Sequence, residues 1–433
     1  MRTNRLLGDL LARVSDIGRS LIPVEDLEVT LGDRCETLLS GEGEATGLAL
    51  AREILDRYQQ LSGADKRLFF VEMMQRFGVE AARLSRSIQA WVKNNDYNSA
   101  RQIHFASEPR SLELIRRLNR APGATQDLVS MRSDLLLAIT TSPELKQLDA
   151  DFRHLFSSWF NRGFLELRRI DWNNTPALIL EKIITYEAVH EINGWEELRL
   201  RVAAEDRRLY GFFHRALGAE PLIFVEVAMT RKMPGAIAPI LTAQREMLQP
   251  DQASTAVFYS ISNCQKGLRG ISFGSFLIKQ VVEELRHELP NLTTFVTLSP
   301  IPGMRQWAQQ QLVRNGQSGL PDKIYNTISR LNDEEDSASA NDQGLRELAA
   351  YYLLEVKRDD GSPLDTVARF HLGNGACLEQ INSLADTSPH GRKNSWGVMV
   401  NYLYDLSSIE RNHEAFANQQ KIICSSAVRR LLK

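Results

Sequence analysis

Apolar positions recur at helical spacing through roughly the first 160 residues. In "GLALAREILDRYQQL", Leu48, Ala51, Ile54, Leu55 and Tyr58 fall on one face, the stripe of an amphipathic helix. "KRLFFVEMMQRFG", "AARLSRSIQAWVKN" and "EPRSLELIRRLNRAPGATQDLVSMRSDLLLAI" continue it. Asp65 is a candidate cap for a helix beginning near Lys66, and Gly78 a candidate stop. No fixed period repeats, so a solenoid is not indicated. The basic run "IRRLNR" reads as a solvated helix face.

The pattern changes after about Arg169. "PALILEKIITYEAVHEI" is helical with Pro176 at its first turn. Strand-like runs follow: "RRLYGFFH" and "PLIFVEVAM", joined by the hairpin-like "RALGAE", then "TAVFYSIS" and "TTFVTLS". Between the last two lies "SFLIKQVVEELRHEL", a helix with Leu277, Ile278, Val281, Val282, Leu285 and Leu289 on its inner face. "NDEEDSASANDQG" is acidic and core-poor, the composition of a mobile loop, and "SWGVMVNYLY" is strand-like. These elements divide the chain into a helical domain, residues 1–165, and an α+β, mixed-sheet domain, residues 166–433.

Length and composition narrow the class. A chain of 433 residues favours more than one domain, and 43% apolar with 24% charged residues is the balance of a globular protein with a large core. A net charge of −2 gives no bulk attraction for nucleic acid or an anionic membrane. Cys35, Cys264, Cys377 and Cys424 are far apart, without metal-ligand or redox spacing, which fits a reducing compartment. No apolar run is long enough to span a bilayer. Asp9 and Asp16 argue against an acid-poor transit peptide, and the ending "VRRLLK" lacks the peroxisomal Ser-Lys-Leu signal. The expected location is the cytoplasm.

Two stretches carry candidate chemistry. "TLSPIPGMRQW" places Ser299 at a strand's exit, and Pro300 and Pro302 restrict the backbone around it. Alone, this is also a plain strand followed by a proline stop. "NCQKGLRGISFGS" puts Gly267, Gly270 and Gly274 between a strand and a long helix. Such a turn lets backbone N–H groups approach a diphosphate at a helix N-terminus. It is neither a P-loop nor a Rossmann fingerprint, and a glycine-relieved turn without a ligand gives the same pattern. His104, His154, His190, His214, His287, His390 and His413 form no i, i+4 metal pair and read as structural. Trp307 and Trp396 read as core.

Taken together, "YSISNCQKGLRGISFGSFLIKQVVEELRHELPNLTTFVTLSPIPGM", "DRRLYGFFH", "PLIFVEVAMT", "VARFHLGNGA" and "MVNYLY", with "RYQQLSGADKRLFFVEMMQRFGV" in the helical half, resemble the malonyl-CoA decarboxylase family. The resemblance runs from about Gly47 to Tyr404. It implies a catalytic domain of the GNAT acetyltransferase type, homo-oligomers (tetramers or dimers) assembled partly through the helical domain, malonyl-CoA and acetyl-CoA as ligands, and no cofactor or metal. It places malonyl-CoA contacts on Arg269, Gly270, Ile271, Ser272, Phe273, Gly274 and Ser275. It makes His371 the proton donor, Ser299 the catalytic serine usually described as proton acceptor, and Tyr404 an active-site tyrosine. Where some members carry a glutamate in the glycine turn, this chain has Ser272. A thioester carbonyl is its own electron sink, so the implied reaction needs donors for an oxyanion and a proton for carbon. An amine acetyltransferase using the same turn, and a non-catalytic CoA-sensing protein, are the competing classes; the latter has no need of both Ser299 and His371.

Overall fold

A computed structural model describes residues 13–14, 17, 29–41, 43–271, 277–313, 319–333 and 342–433. Its contacts divide into two units. The first contains the residues up to Leu165 and two later segments, His214–Ala219 and Gln265–Phe273. The second holds the remainder.

The first unit is built from α1 (Leu31–Leu39), α2 (Glu44–Gln60), α3 (Gly63–Arg76), α4 (Ala81–Asn94), α5 (Tyr97–Ser107), α6 (Arg110–Leu118), α7 (Ala124–Ala138) and α8 (Lys146–Trp159). The stripe on α2 is its buried face: Leu48, Ala51, Ile54, Leu55 and Tyr58 are all inside. Leu48, Ile54 and Leu55 each contribute about 1.5–3 kcal/mol on burial. Helix α3 starts earlier than the sequence suggested. Its cap is Ser62, whose hydroxyl accepts the Asp65 N–H at 3.2 Å, and Asp65 sits in the first turn, where its charge favours the helix dipole. Helices α4 and α5 form a hairpin, and α4 buries none of its residues. Arg116 and Arg117 of the basic run pair with Glu108 and Glu113, on the solvated face expected.

The second unit is organised on a mixed sheet of β1 (Leu165–Ile170), β2 (Arg207–His214), β3 (Pro221–Thr230), β4 (Thr255–Asn263), β5 (Thr294–Thr297), β6 (Ser299–Pro300), β7 (Cys377–Asn382) and β8 (Met399–Leu403). The order is β1-β2-β3-β4-β5-β8-β6, with β7 paired to β8. Strands β2, β3 and β4 are antiparallel, and β4 and β5 run parallel from Thr255↔Thr294 to Phe258↔Thr297. Cys264 and strand residues Leu209, Phe213 and Phe224 pack with Ile179, Leu180 and Ile183 from α9 (Ala177–Tyr186) and Leu198 and Val202 from α10 (Trp195–Val202). A second cluster joins Val257, Tyr259, Val296 and Met399 to Ile237 and to Ile240 of α11 (Ala238–Leu241). The crossover helix α12 (Leu277–Glu288) buries Leu277, Ile278, Val281, Val282 and Leu285, and Leu289 lies just past its end. A helical unit followed by a mixed-sheet α+β unit is the expected fold class.

Three strand details position the site. The run expected to reach Ser299 is interrupted at Leu298, yet β5 and β6 keep one register against β8, through Val296↔Leu403 and Ser299↔Val400. Leu298 N–H donates to the Phe258 carbonyl at 3.0 Å. Beyond that bond β4 stays with β3 while β6 stays with β8, and a bulge in β4 sets Ser260 opposite Glu226 one step after Phe258 opposite Val227. The two strands therefore part where Ser299 begins. Within the acidic run, residues 334–341 lie outside the described residues. Asp342 caps the helix Gln343–Leu354. Trp307 and Trp396 are buried.

Candidate active site

Ser299, His371 and Tyr404, distant in sequence, meet in the second unit. Ser299 stands at the start of β6, 5% exposed. His371 occupies the last turn of the helix Thr366–Gly373 and is 3% exposed. Asp365 caps that helix by accepting the Ala368 N–H at 2.7 Å, which fixes the angle at which the imidazole enters. Tyr404 follows β8, and its N–H donates to the Phe295 carbonyl at 2.8 Å. The side chains form a chain: Ser299 Oγ lies 3.1 Å from His371 Nε2, and His371 Nδ1 lies 2.8 Å from the Tyr404 hydroxyl.

The direction of that chain follows from burial. Tyr404 is 1% exposed, and desolvation holds its hydroxyl pKa well above the ordinary value, so it stays protonated. Among the described residues the buried Tyr404 hydroxyl has His371 Nδ1 as its hydrogen-bond partner and no other, so donating to Nδ1 is what satisfies its proton; the tautomer assigned on that ground carries the imidazole proton on Nε2, directed at Ser299 Oγ. Burial alone pushes the His371 pKa down to about 3, so the resting ring is neutral. Ser299 therefore faces an N–H rather than a basic nitrogen. A serine–histidine pair in this tautomer cannot activate the serine as a nucleophile.

Two residues not singled out from the sequence complete the arrangement. Thr297, fully buried, accepts the Ser299 hydroxyl at 2.9 Å and the Tyr402 N–H at 3.2 Å on its Oγ1. The Tyr402 ring stacks on the His371 ring, centroids 4.6 Å apart at 25°. Both are legible only as strand alternation, two residues before Ser299 and Tyr404 on the same faces. Behind them, Asn401 Nδ2 donates to the Thr297 carbonyl at 2.9 Å and Asn382 Nδ2 to Asn401 Oδ1 at 2.7 Å. The buried amides stiffen the support.

The glycine turn belongs to the first unit as far as it is described. Gly267 is there for a different reason from the one its motif suggested. A Cβ on it would collide with the Val129 carbonyl of α7, so it serves close packing rather than a ligand. Arg132 of α7, 1% exposed, donates Nη1 to the carbonyls of Gly267 at 2.6 Å and Arg269 at 3.0 Å, and Nε to Asp149 at 2.8 Å. Sequence inspection missed Arg132, since nothing distinguishes a buried arginine in a helical stretch. Gly270 has φ +78°, the left-handed region that favours glycine, with open space where a Cβ would be. Ile271 is buried, and its N–H and that of Arg269 are bonded to the Leu268 and Lys266 carbonyls. Ser272, Phe273, Gly274 and Ser275 lie outside the described residues. Among the described residues no group of three or more His, Cys, Asp or Glu is placed to hold a metal ion, and no helix is long and apolar enough to cross a membrane.

A parallel β4–β5 pair that parts beside a buried serine, histidine and tyrosine places an enzyme's site in the mixed-sheet unit. Residues 163–433 match the family model "Malonyl-CoA decarboxylase C-terminal domain" and residues 77–160 match the corresponding N-terminal domain. The chain belongs to the malonyl-CoA decarboxylase family. It is 33% identical over 414 residues to the mitochondrial malonyl-CoA decarboxylase of Anser anser anser, covering 87% of this chain and 82% of that protein. Crystal structures of malonyl-CoA decarboxylases from Rhodopseudomonas palustris (51% identity, TM-score 0.88, covering 92% of this chain and 98% of that one) and Agrobacterium vitis (52%, 0.86, 93% and 99%) share the fold.

Proposed function

We propose that this chain removes CO2 from malonyl-CoA to give acetyl-CoA, with the thioester carbonyl as electron sink and no organic cofactor or metal. The observation that carries the reading is the directed chain from Tyr404 through His371 to Ser299. In the mechanism, the Ser299 hydroxyl turns from Thr297 to the malonyl carboxylate and holds its C–C bond out of the thioester plane. That alignment lets the breaking bond overlap the carbonyl π system. The carbon–carboxylate bond breaks, its electron pair moves into the carbonyl to form the enolate, and CO2 leaves. His371 then gives the α-carbon a proton. The reaction consumes one proton, and a neutral imidazole does not hold it in acidic form. The substrate's negative charge, entering beside a buried ring, raises the His371 pKa, so the proton arrives with the substrate. Ser299 positions, His371 delivers, and Tyr404 orients.

The same reading assigns CoA contacts to Arg269–Ser275 and places the protein in the cytoplasm, in fatty acid metabolism. It makes the molecule a homo-oligomer, dimer or tetramer. Support for assembly comes from the α4–α5 hairpin, where Ile88, Val92, Tyr97 and Phe105 are exposed apolar residues.

The test is incubation of the purified protein with malonyl-CoA alone, following CO2 and acetyl-CoA. Equal amounts of both are expected, formed at a rate unchanged by chelator and strongly lowered by His371→Asn. Turnover that vanishes with chelator and returns with a divalent ion, or acyl transfer to an amine without CO2, overturns the reading.

A further inference from the structure

A pocket of about 880 Å³ opens where α13 (Met304–Val313) begins beside the helix Pro389–Ser395. Its lining includes three cations, Arg305, Arg392 and Lys393, and three side-chain amides, Gln306, Gln309 and Asn394. Among the described residues no carboxylate lines it. Arg305 is held in place: its guanidinium lies 5.4 Å from the Trp396 ring centre, and Nη1 donates to the Arg392 carbonyl at 3.2 Å. Gly303, also in the lining, takes φ +85° immediately before the first turn of α13, so the helix's positive end faces the same space. None of these residues takes part in the Ser299–His371–Tyr404 chain.

We propose that this pocket binds a small polyanion, a molecule carrying two or more phosphate or carboxylate groups. Guanidinium forks and an ammonium recognise such groups by paired, charge-assisted hydrogen bonds, and amide donors add orientation. The volume suits a metabolite rather than a lone inorganic ion. An occupant ties the start of α13, five residues beyond Ser299, to the helix that leads into β8 and Tyr402. Two sources offer this chemistry: the phosphate-bearing end of a CoA thioester, or a separate phosphorylated or polycarboxylate metabolite.

Lys393 and Gln306 are both exposed, so Lys393→Glu/Gln306→Glu reverses the pocket's charge without touching the core. Two calorimetric titrations of the full chain separate the sources. Acetyl-CoA is titrated into wild type and variant; inorganic pyrophosphate is titrated into both after saturation with acetyl-CoA. If acetyl-CoA does not bind at all, the second titration is run on the free protein, which keeps this test independent of the proposed activity. At least a tenfold loss of affinity in the variant is expected in one titration, together with a steep fall on adding salt. A loss in the first assigns the pocket to the CoA phosphates; a loss in the second assigns it to a separate metabolite. Equal acetyl-CoA affinity in both proteins, with pyrophosphate binding that is absent or unaffected by the charge reversal, overturns the proposal. Lys393→Met, which removes charge without adding any, is expected to show the same effect at smaller size.

Discussion

At the scale of single residues, the tautomer of His371 makes sharp predictions. Nitrogen chemical shifts of the free protein are expected to show a neutral ring with its proton on Nε2 from pH 8 down to pH 5, because burial has moved its titration to about 3. A midpoint near the ordinary histidine value contradicts the assignment. Binding of a malonyl-CoA analogue that keeps the carboxylate but cannot decarboxylate should draw in one proton, and acetyl-CoA binding should draw in none. Calorimetry in buffers of different ionisation enthalpy reads that difference directly. His371→Asn is expected to lower kcat by about 10²–10⁴-fold with affinity nearly kept. Tyr404→Phe removes the donor that fixes the tautomer and should lower kcat while changing the nitrogen spectrum. Ser299→Ala should cost affinity for malonyl-CoA relative to acetyl-CoA, since only the former carries the carboxylate.

At the scale of elements, the bond between α7 and the Lys266–Arg269 turn is the most exposed to test. Arg132→Met leaves two buried carbonyls and Asp149 without their donor. A loss of about 3 kcal/mol of stability is expected, read from denaturant unfolding, with KM for malonyl-CoA raised more than kcat falls. Arg132→Lys should recover part of both. Sequence legibility divides at this scale. Helix α2 and the crossover helix were readable because one face of each is apolar at helical spacing, and the strand runs because β2, β3 and β4 are buried on both faces and so read as near-continuous apolar segments. The Ser62 cap was misread as Asp65 because both residues suit a helix start, and only the bond to the Asp65 N–H separates them. Ser299, His371 and Tyr404 were legible through the order of several motifs. Thr297, Tyr402 and Arg132 were not, since their roles arise from pairing between strands and from packing of α7 on a turn well over a hundred residues away in sequence.

At the scale of the whole molecule, pH acts on stability from both sides. Glu226 and Asp365 are buried, and desolvation first of all raises each pKa to about 7. Their native neutral forms favour folding below the ordinary carboxylate range, and that contribution is lost as pH rises through about 7. His371 works the other way: its contribution is full above the ordinary histidine value and lost as pH falls toward about 3. The Tm should therefore peak in mildly acidic buffer. Glu226→Gln with Asp365→Asn should flatten the fall in stability between about pH 5 and 7, and an unchanged slope across that window argues against the two carboxyls. Assembly is tested separately. Ile88→Glu/Val92→Glu places charge on exposed apolar positions of α4 and is expected to reduce the mass seen by light scattering while the Tm of the subunit holds.

The reach of Arg132 across the chain has a consequence for synthesis. Its guanidinium is buried with acceptors that the ribosome makes more than a hundred residues later. At about 5–20 residues per second, the helices emerge several seconds before the segment that completes them. During that interval Arg132 has Asp149 as a partner but lacks the two carbonyls that complete its bonding. A fragment ending at residue 165 is expected to be less stable than the same helices in the full chain, and adding a synthetic peptide of residues 263–273 in trans should restore part of the difference.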